Sequence, residues 1–346
     1  MRPHVVATFV LGLLSLGSSA ITPARAEQKL RMLSHRDRLY DVTSVGDRLF
    51  VVGHPGRVLR SRDIGKTFES MNVVKHDEAL FSVAFNAKGE GAIVGRSGVV
   101  LMSADKGDTW TSTVVDVDKE KPSLFSVDVL GDGTIVAVGD FGIIVRSTDH
   151  GKTWSRSSYA AELPADAPTC TGGPAGGGDN ADSIGEARLT DVEFVNDQQG
   201  YLVGEFGLVA RTDDGGLTFK RQNSCTDRLL YSVAVVTPTR LLAVGADGTA
   251  IESTDGGTTW AALPTGTIEH LFGVFADAQR AVVVGAAGTV LARSGEGPLS
   301  LAKTDVHSWL AGAWLDGKGQ GVIVGGRAFV LSTRDGAKTQ TLISGE

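Results

Sequence analysis

The sequence predicts an all-β fold, a seven-bladed β-propeller with four-stranded antiparallel blades, and three observations predict it. Glycine occurs 45 times in 346 residues and proline only 10 times, a balance that suits many tight turns and disfavours long helices. The dipeptide Val-Gly closes an apolar run at Gly53, Gly95, Gly139, Gly204, Gly245, Gly285 and Gly325, at intervals of 42, 44, 65, 41, 40 and 40. A second signature, Ser/Thr-x-Asp-x-Gly-x-Thr-Trp/Phe, follows five of those runs. A unit of about 40 residues recurring at a fixed period indicates radial repetition.

Each unit reads as four strands, A to D. Strand A opens on a leucine, usually followed by an aromatic residue: Leu39-Tyr40, Leu80-Phe81, Leu124-Phe125, Leu189-Thr190, Leu230-Tyr231, Leu271-Phe272 and Trp309-Leu310. Strand B is the Val-Gly run, such as residues 91–95. A three-residue turn ending in Gly98 leads to strand C at residues 99–103. Apolar runs of four to six residues between glycine turns have strand length and not helix length. The second signature then opens strand D.

That signature stands complete around Asp63, Asp105, Asp149, Asp214 and Asp255, for example as Ser103-Asp105-Gly107-Thr109-Trp110. Its carboxylate is suited to accept hydrogen bonds from the amides of its own turn. The aromatic residue is suited to pack between neighbouring sheets. In the sixth unit only Ser294 survives, and in the seventh Ser332, Asp335 and Thr339 stand out of step, so both read as degenerate. Ring closure calls for a strand borrowed across the termini, because open sheets leave unpaired edges. Residues 29–33 or residues 339–344 are the two candidates.

With these motifs the chain resembles the Asp-box, or bacterial neuraminidase repeat, propellers. Among them it is most similar to the photosystem II stability/assembly factor family and its relatives in non-photosynthetic bacteria. The resemblance covers residues 27–346 as one propeller domain and implies a non-enzymatic exported chaperone or scaffold. Photosynthetic members carry an arginine-rich patch that docks a membrane-protein subunit. The resemblance makes Arg57, Arg96 and Arg327 the candidates for such a patch, with Arg38, Arg188 and Arg228 behind them. Acidic turns and a glycine-rich insertion depart from that pattern and set a photosystem partner apart from other envelope partners.

Residues 1–26 read as a secretory signal peptide. Arg2 gives a positive start, residues 5–17 an apolar stretch, and Ala24-Arg25-Ala26 a small-x-small cleavage site. The apolar stretch is shorter than the ~20 residues of a bilayer span. The expected location is therefore periplasmic or an equivalent extracytoplasmic compartment, where Cys170 and Cys225 are expected to form a disulfide. A formal charge of -7 and a pI near 5.5 argue against nucleic acid as partner.

With strand A at the axis, the B–C turns and the D–A loops share one face of the ring. The turns on that face sort by charge. His54 with Arg57, Arg96 and Arg327 lie on blades one, two and seven, whereas Asp140, Glu205 and Asp247 lie on blades three, four and five. Phe141 and Phe206 occupy turn tips, where an aromatic ring is hard to bury within its own blade and suits contact with a partner. The long interval falls on the same face, as a glycine-rich insertion at about residues 160–188. Cys170 lies in it and Cys225 in the next D–A loop, so a bridge is placed to pin its first half. Asp179, Asn180 and Asp182 lack the further oxygen ligands of a calcium site, and no metal or cofactor is assigned.

A glycoside hydrolase of the sialidase kind is the alternative function. It needs an arginine cluster, a tyrosine nucleophile with an acidic partner, and a separate acid/base on the axis. Tyr40 and Tyr231 occupy the slot filled elsewhere by Phe81, Phe125 and Phe272, which reads as strand packing. Tyr201 begins a B strand, and Tyr159 sits in the insertion. Ser103-Ala104-Asp105-Lys106 matches Ser-x-x-Lys but lies in a turn and not on the helix that pair requires. No catalytic constellation emerges, so the reading is a non-catalytic protein-binding module. Its partner is expected to be a membrane or envelope complex subunit; a propeller whose faces serve oligomerisation is the third possibility.

Overall fold

The computed structural model describes residues 33–73, 77–117, 119–170 and 185–345. The expected signal peptide, residues 1–26, and the Asp179, Asn180 and Asp182 group lie outside the described residues. Seven sheets form the ring, each ordered A-B-C-D from the axis outward. In blade one these strands are Arg38–Val45, Arg48–His54, Arg57–Ser61 and Glu69–Ser70. All seven B strands are completely buried over their Val-Gly runs. The hydrophobic core is divided among the seven seams between blades. At one of them, Phe50, Val52 and Val58 of blade one pack on Leu80, Ile93 and Leu101 of blade two. Burying each such side chain contributes about 1.5–3 kcal/mol.

The Val-Gly glycines are set by space and not by φ. Their backbone is extended, as at Gly95 with φ -163°. A Cβ there would fall on the carbonyl oxygen of the residue preceding strand A, Ala79 for Gly95 and Ser123 for Gly139. That same carbonyl accepts the N–H of the residue after the glycine, as in Arg96 N to Ala79 O at 2.9 Å. The motif thus locks the B–C turn onto the start of its own blade.

The predicted turn signature forms as expected. In blade three, Ser147 Oγ donates to Asp149 at 2.9 Å, and Thr153 donates from its N–H at 2.9 Å and its hydroxyl at 2.6 Å. Trp110, Trp154 and Trp260 each donate Nε1–H to the carbonyl of the glycine three residues earlier. The seventh unit is a correction. Its box is whole, built from Thr333, Asp335, Ala337 and Thr339, with Thr339 N to Asp335 at 2.9 Å. Gln340 replaces the tryptophan and donates to Ala337 O.

Of the two candidates for the outer strand of the last blade, the C-terminal one supplies it, with no strand borrowed across the termini among the described residues. The outer strand of blade seven is Thr341–Ser344, paired with Val330–Thr333 of the same blade. No strand crosses between blades seven and one among the described residues. Their seam is a packed core of Leu39, Val42 and Leu59 against Val322, Val324 and Val330, with Leu33 against its edge. Blade four gains a strand not foreseen: Ser158–Ala160 of the insertion pairs parallel with Thr218–Gln222 and makes that sheet five-stranded.

Candidate functional site

The face that gathers the B–C turns and D–A loops surrounds the mouth of the central channel. In every blade the A–B pairing slips by one residue near the start of strand A. The residue in the slip is Tyr40, Phe81, Phe125, Thr190, Tyr231, Phe272 or Ala311. A bulge re-aims its side chain, and here all seven line the channel. Five of the seven are aromatic. Tyr40 and Phe81 centroids lie 5.4 Å apart, Phe81 and Phe125 5.3 Å, and Tyr231 and Phe272 5.1 Å. Trp309 stacks on Tyr40 at 5.7 Å, and the Arg188 guanidinium lies 5.5 Å over Phe125. Blade four, where Thr190 leaves the gap, supplies that arginine.

The collar and the polar residues that follow it in strand A, Asp41, Ser82, Ser126, Asp191 and Ser232, line one shared cavity of ≈ 140 Å³. The inner edge of strand A has no further strand to pair with, and carboxylates from the preceding blade cap it. Asp41 Oδ2 accepts Val83 N–H at 2.9 Å, Asp191 Oδ2 accepts Val233 N–H at 2.9 Å, and Asp128 Oδ2 accepts Phe194 N–H at 2.8 Å. Ser126 and Ser232 also donate to Asp191. Burial pushes Asp128 and Asp191 up to about 6 and Glu193 up to about 8, the last also raised by the charges of Asp191 and Asp128. Sequence reasoning missed these four carboxylates. Their signal was an acid in strand A where sister blades carry Ser or Gly, in the slot of Asp41 and Asp191, or Thr, Ala, Phe or Trp, in the slot of Asp128 and Glu193.

The B–C tips stand around this mouth. Phe141 is 75% exposed and Phe206 44%, and both sit in the left-handed region, at φ 55° and 59°. That conformation is shared by the tips of the other three-residue B–C turns, Ser97, Asp247, Ala287 and Arg327, so what distinguishes the two phenylalanines is a large apolar ring held out in solvent. Ile268, 85% exposed, adds a third apolar tip from a D–A loop. Beside Phe141 a cavity of about 500 Å³ is lined by Val117, Lys121, Pro122, Ile143 and Arg156.

The charges resolve into paired and unpaired groups. Arg57 donates twice to the buried Asp37, at 3.0 and 2.9 Å, and serves as a strut instead of a contact. Arg188 lies 3.4 Å from Asp140 and gives its N–H to Glu205 at 2.9 Å. Arg228 reaches Asp247 at 2.9 Å, whose N–H bonds to His270 Nδ1 at 3.0 Å. The acidic half of the face is thus largely bridged by its own loops. Arg96, Arg327 and Arg38 are exposed and form no ion pair among the described residues. His54 is half-buried, with its Nδ1 unbonded.

The expected disulfide is present between Cys170 and Cys225. Tyr201 is buried, its hydroxyl donating to Gly256 O at 2.6 Å. Tyr159 packs against the core between blades three and four. No helix among the described residues is long and apolar enough to cross a membrane.

Fold and site together define a seven-bladed Asp-box propeller with an aromatic-rimmed channel and one face of raised apolar tips. The family model described as Photosynthesis system II assembly factor YCF48 matches residues 69–184. The chain is 50% identical over 38 residues to the photosystem II assembly lipoprotein Ycf48 of Prochlorococcus marinus (strain NATL2A), which is 11% of either chain. It is 31% identical over 110 residues, 27% of either chain, to the chloroplastic photosystem II stability/assembly factor HCF136 of Arabidopsis thaliana. The match therefore spans about a tenth and about a quarter of those relatives' lengths. The solved structure of YCF48 bound to D1 peptide superposes with a TM-score of 0.65 at 20% identity, covering 88% of this chain and 94% of that one. The resemblance read from the repeats is thus matched by similarity to photosystem II assembly factors over residues 69–184, about a third of the chain, and by the shared propeller fold.

Proposed function

We propose that this chain is a non-catalytic, exported scaffold that binds a subunit of a membrane or envelope complex through the face around its channel mouth. The observation that carries the reading is the presence on one face of exposed rings at Phe141 and Phe206 and of exposed arginines at Arg96 and Arg327 that form no ion pair among the described residues. The relatives named as assembly factors support it, and a disulfide suits an oxidising compartment. The partner is expected among proteins that crosslink to the full chain in its own cell envelope. Replacing Arg96 and Arg327 by Glu, or Phe141 and Phe206 by Ser, is expected to cut capture of that partner about tenfold or more, as loss of interface hot spots does. Unchanged capture by variants with a native circular dichroism spectrum would sink the proposal.

The bore carboxylates are the observation that favours a glycoside hydrolase. Against it, the oxygens of Asp41 and Asp191 are already engaged by amides and serines. Purified protein is expected to turn over no chromogenic glycoside, sialosides included; robust turnover would establish the enzyme instead.

A further inference from the structure

The channel mouth combines features that recognise one kind of group. Aromatic faces attract cations through their quadrupole, and five aromatic side chains line this mouth. The collar already holds a guanidinium, since Arg188 lies 5.5 Å over Phe125. Asp41 and Asp191, each one residue further along strand A than a collar residue, line the same cavity, and no basic side chain is among its lining residues. Amides hold both carboxylates, and serines also hold Asp191, but hydrogen bonds leave the negative charge in place and neither carboxylate forms an ion pair among the described residues. A buried charge without a countercharge is costly, and a cation arriving from outside relieves that cost.

We propose that the collar and the carboxylates of this cavity form a socket for a cationic side chain, a lysine or arginine, projected by a bound polypeptide. The inference deepens the scaffold reading and rests on it. The occupant enters from the face that carries Phe141 and Phe206, passes Tyr40, Phe81 and Tyr231, and brings its charge toward Asp41 and Asp191. The ≈ 140 Å³ that the aromatic and acidic residues enclose together suits an ammonium or guanidinium head. The burial and mutual repulsion that push Asp191 up to about 6 are lessened when a cation binds.

The test is calorimetric titration of the full chain with capped tripeptides, acetyl-Gly-Lys-Gly-amide and its arginine counterpart, against the uncharged norleucine analogue. The cationic peptides are expected to bind about tenfold more tightly or better than norleucine, the scale of a desolvated cation–π contact. Asp41→Asn with Asp191→Asn keeps an acceptor for Val83 and Val233 and is expected to erase the preference. Tyr231→Leu keeps the bulk and is expected to weaken it severalfold. Thermal unfolding of each variant confirms a folded ring. Equal binding of all three peptides, binding of none, or a preference that survives the Asn substitutions overturns the socket. Tetramethylammonium binding as tightly as the lysine peptide overturns it too, in favour of a small free cation. Failure of the scaffold reading is seen separately, as unchanged partner capture by the Arg96 and Arg327 variants.

Discussion

Glu193 shows how a residue's surroundings set its chemistry. It is half-buried in the bore, and desolvation first, then the charges of Asp191 and Asp128, push its carboxyl from 4.5 to about 8. The folded state therefore holds a proton that the unfolded chain has lost, so stability falls as pH rises from about 4.5 to about 8. Glu193→Gln removes this penalty while keeping an oxygen to accept the Val235 N–H. It is expected to stabilise the protein by about 1–3 kcal/mol at pH 8 and by little at pH 4.5. Melting temperatures across that range decide it, and parallel curves for both proteins would refute it. Asp149 behaves oppositely. Hydrogen bonds from the Thr153 hydroxyl and amide hold it down at about 2, so its contribution is present above 3.8 and lost as pH falls toward 2.

At the level of the element, the sequence announces what repeats and hides what occurs once. Ser147, Asp149 and Thr153 were legible because five copies share one spacing. The seventh box was read out of step because Ala337 and Gln340 replace glycine and tryptophan, yet its hydrogen bonds match the others. The collar slot was visible at Tyr40 and Tyr231, but its aim depends on a bulge, which no single blade's pattern reveals. The parallel strand Ser158–Ala160 is short and partly exposed, with no strong alternation to betray it. Its anchorage is nevertheless explicit: Arg221 donates to Ala161 O at 2.9 Å, Asn223 to Pro168 O at 2.9 Å, and Cys170 is bonded to Cys225. Reduction is therefore expected to release this segment and to cost about 2–4 kcal/mol. Hydrogen exchange should rise at residues 158–170 and stay unchanged in the B strands. Protection of residues 158–170 identical in both redox states would count against the anchor.

The whole ring is a circle of seven seams, one of which joins the beginning of the described chain to its end. Six are bridged by the continuous chain; the seam between blades seven and one has, among the described residues, packing and polar contacts alone. Asp37 is central to it. The residue is 1% exposed, its carboxylate accepts Arg57 of blade one and the N–H of Ser34, and its carbonyl accepts Ala328 N–H of blade seven at 2.9 Å. Asp37→Ala leaves the Arg57 guanidinium, 17% exposed, without its partner and is expected to cost about 2–4 kcal/mol. Adding Arg57→Ala should recover part of that loss, because the stranded charge and not the missing contact dominates it. Exchange should accelerate first at Ala328 and along Arg38–Val45, ahead of blade four, whose edge the insertion covers. A loss spread evenly around the ring would mean that the seven seams are equivalent and that closure depends on their shared apolar cores alone.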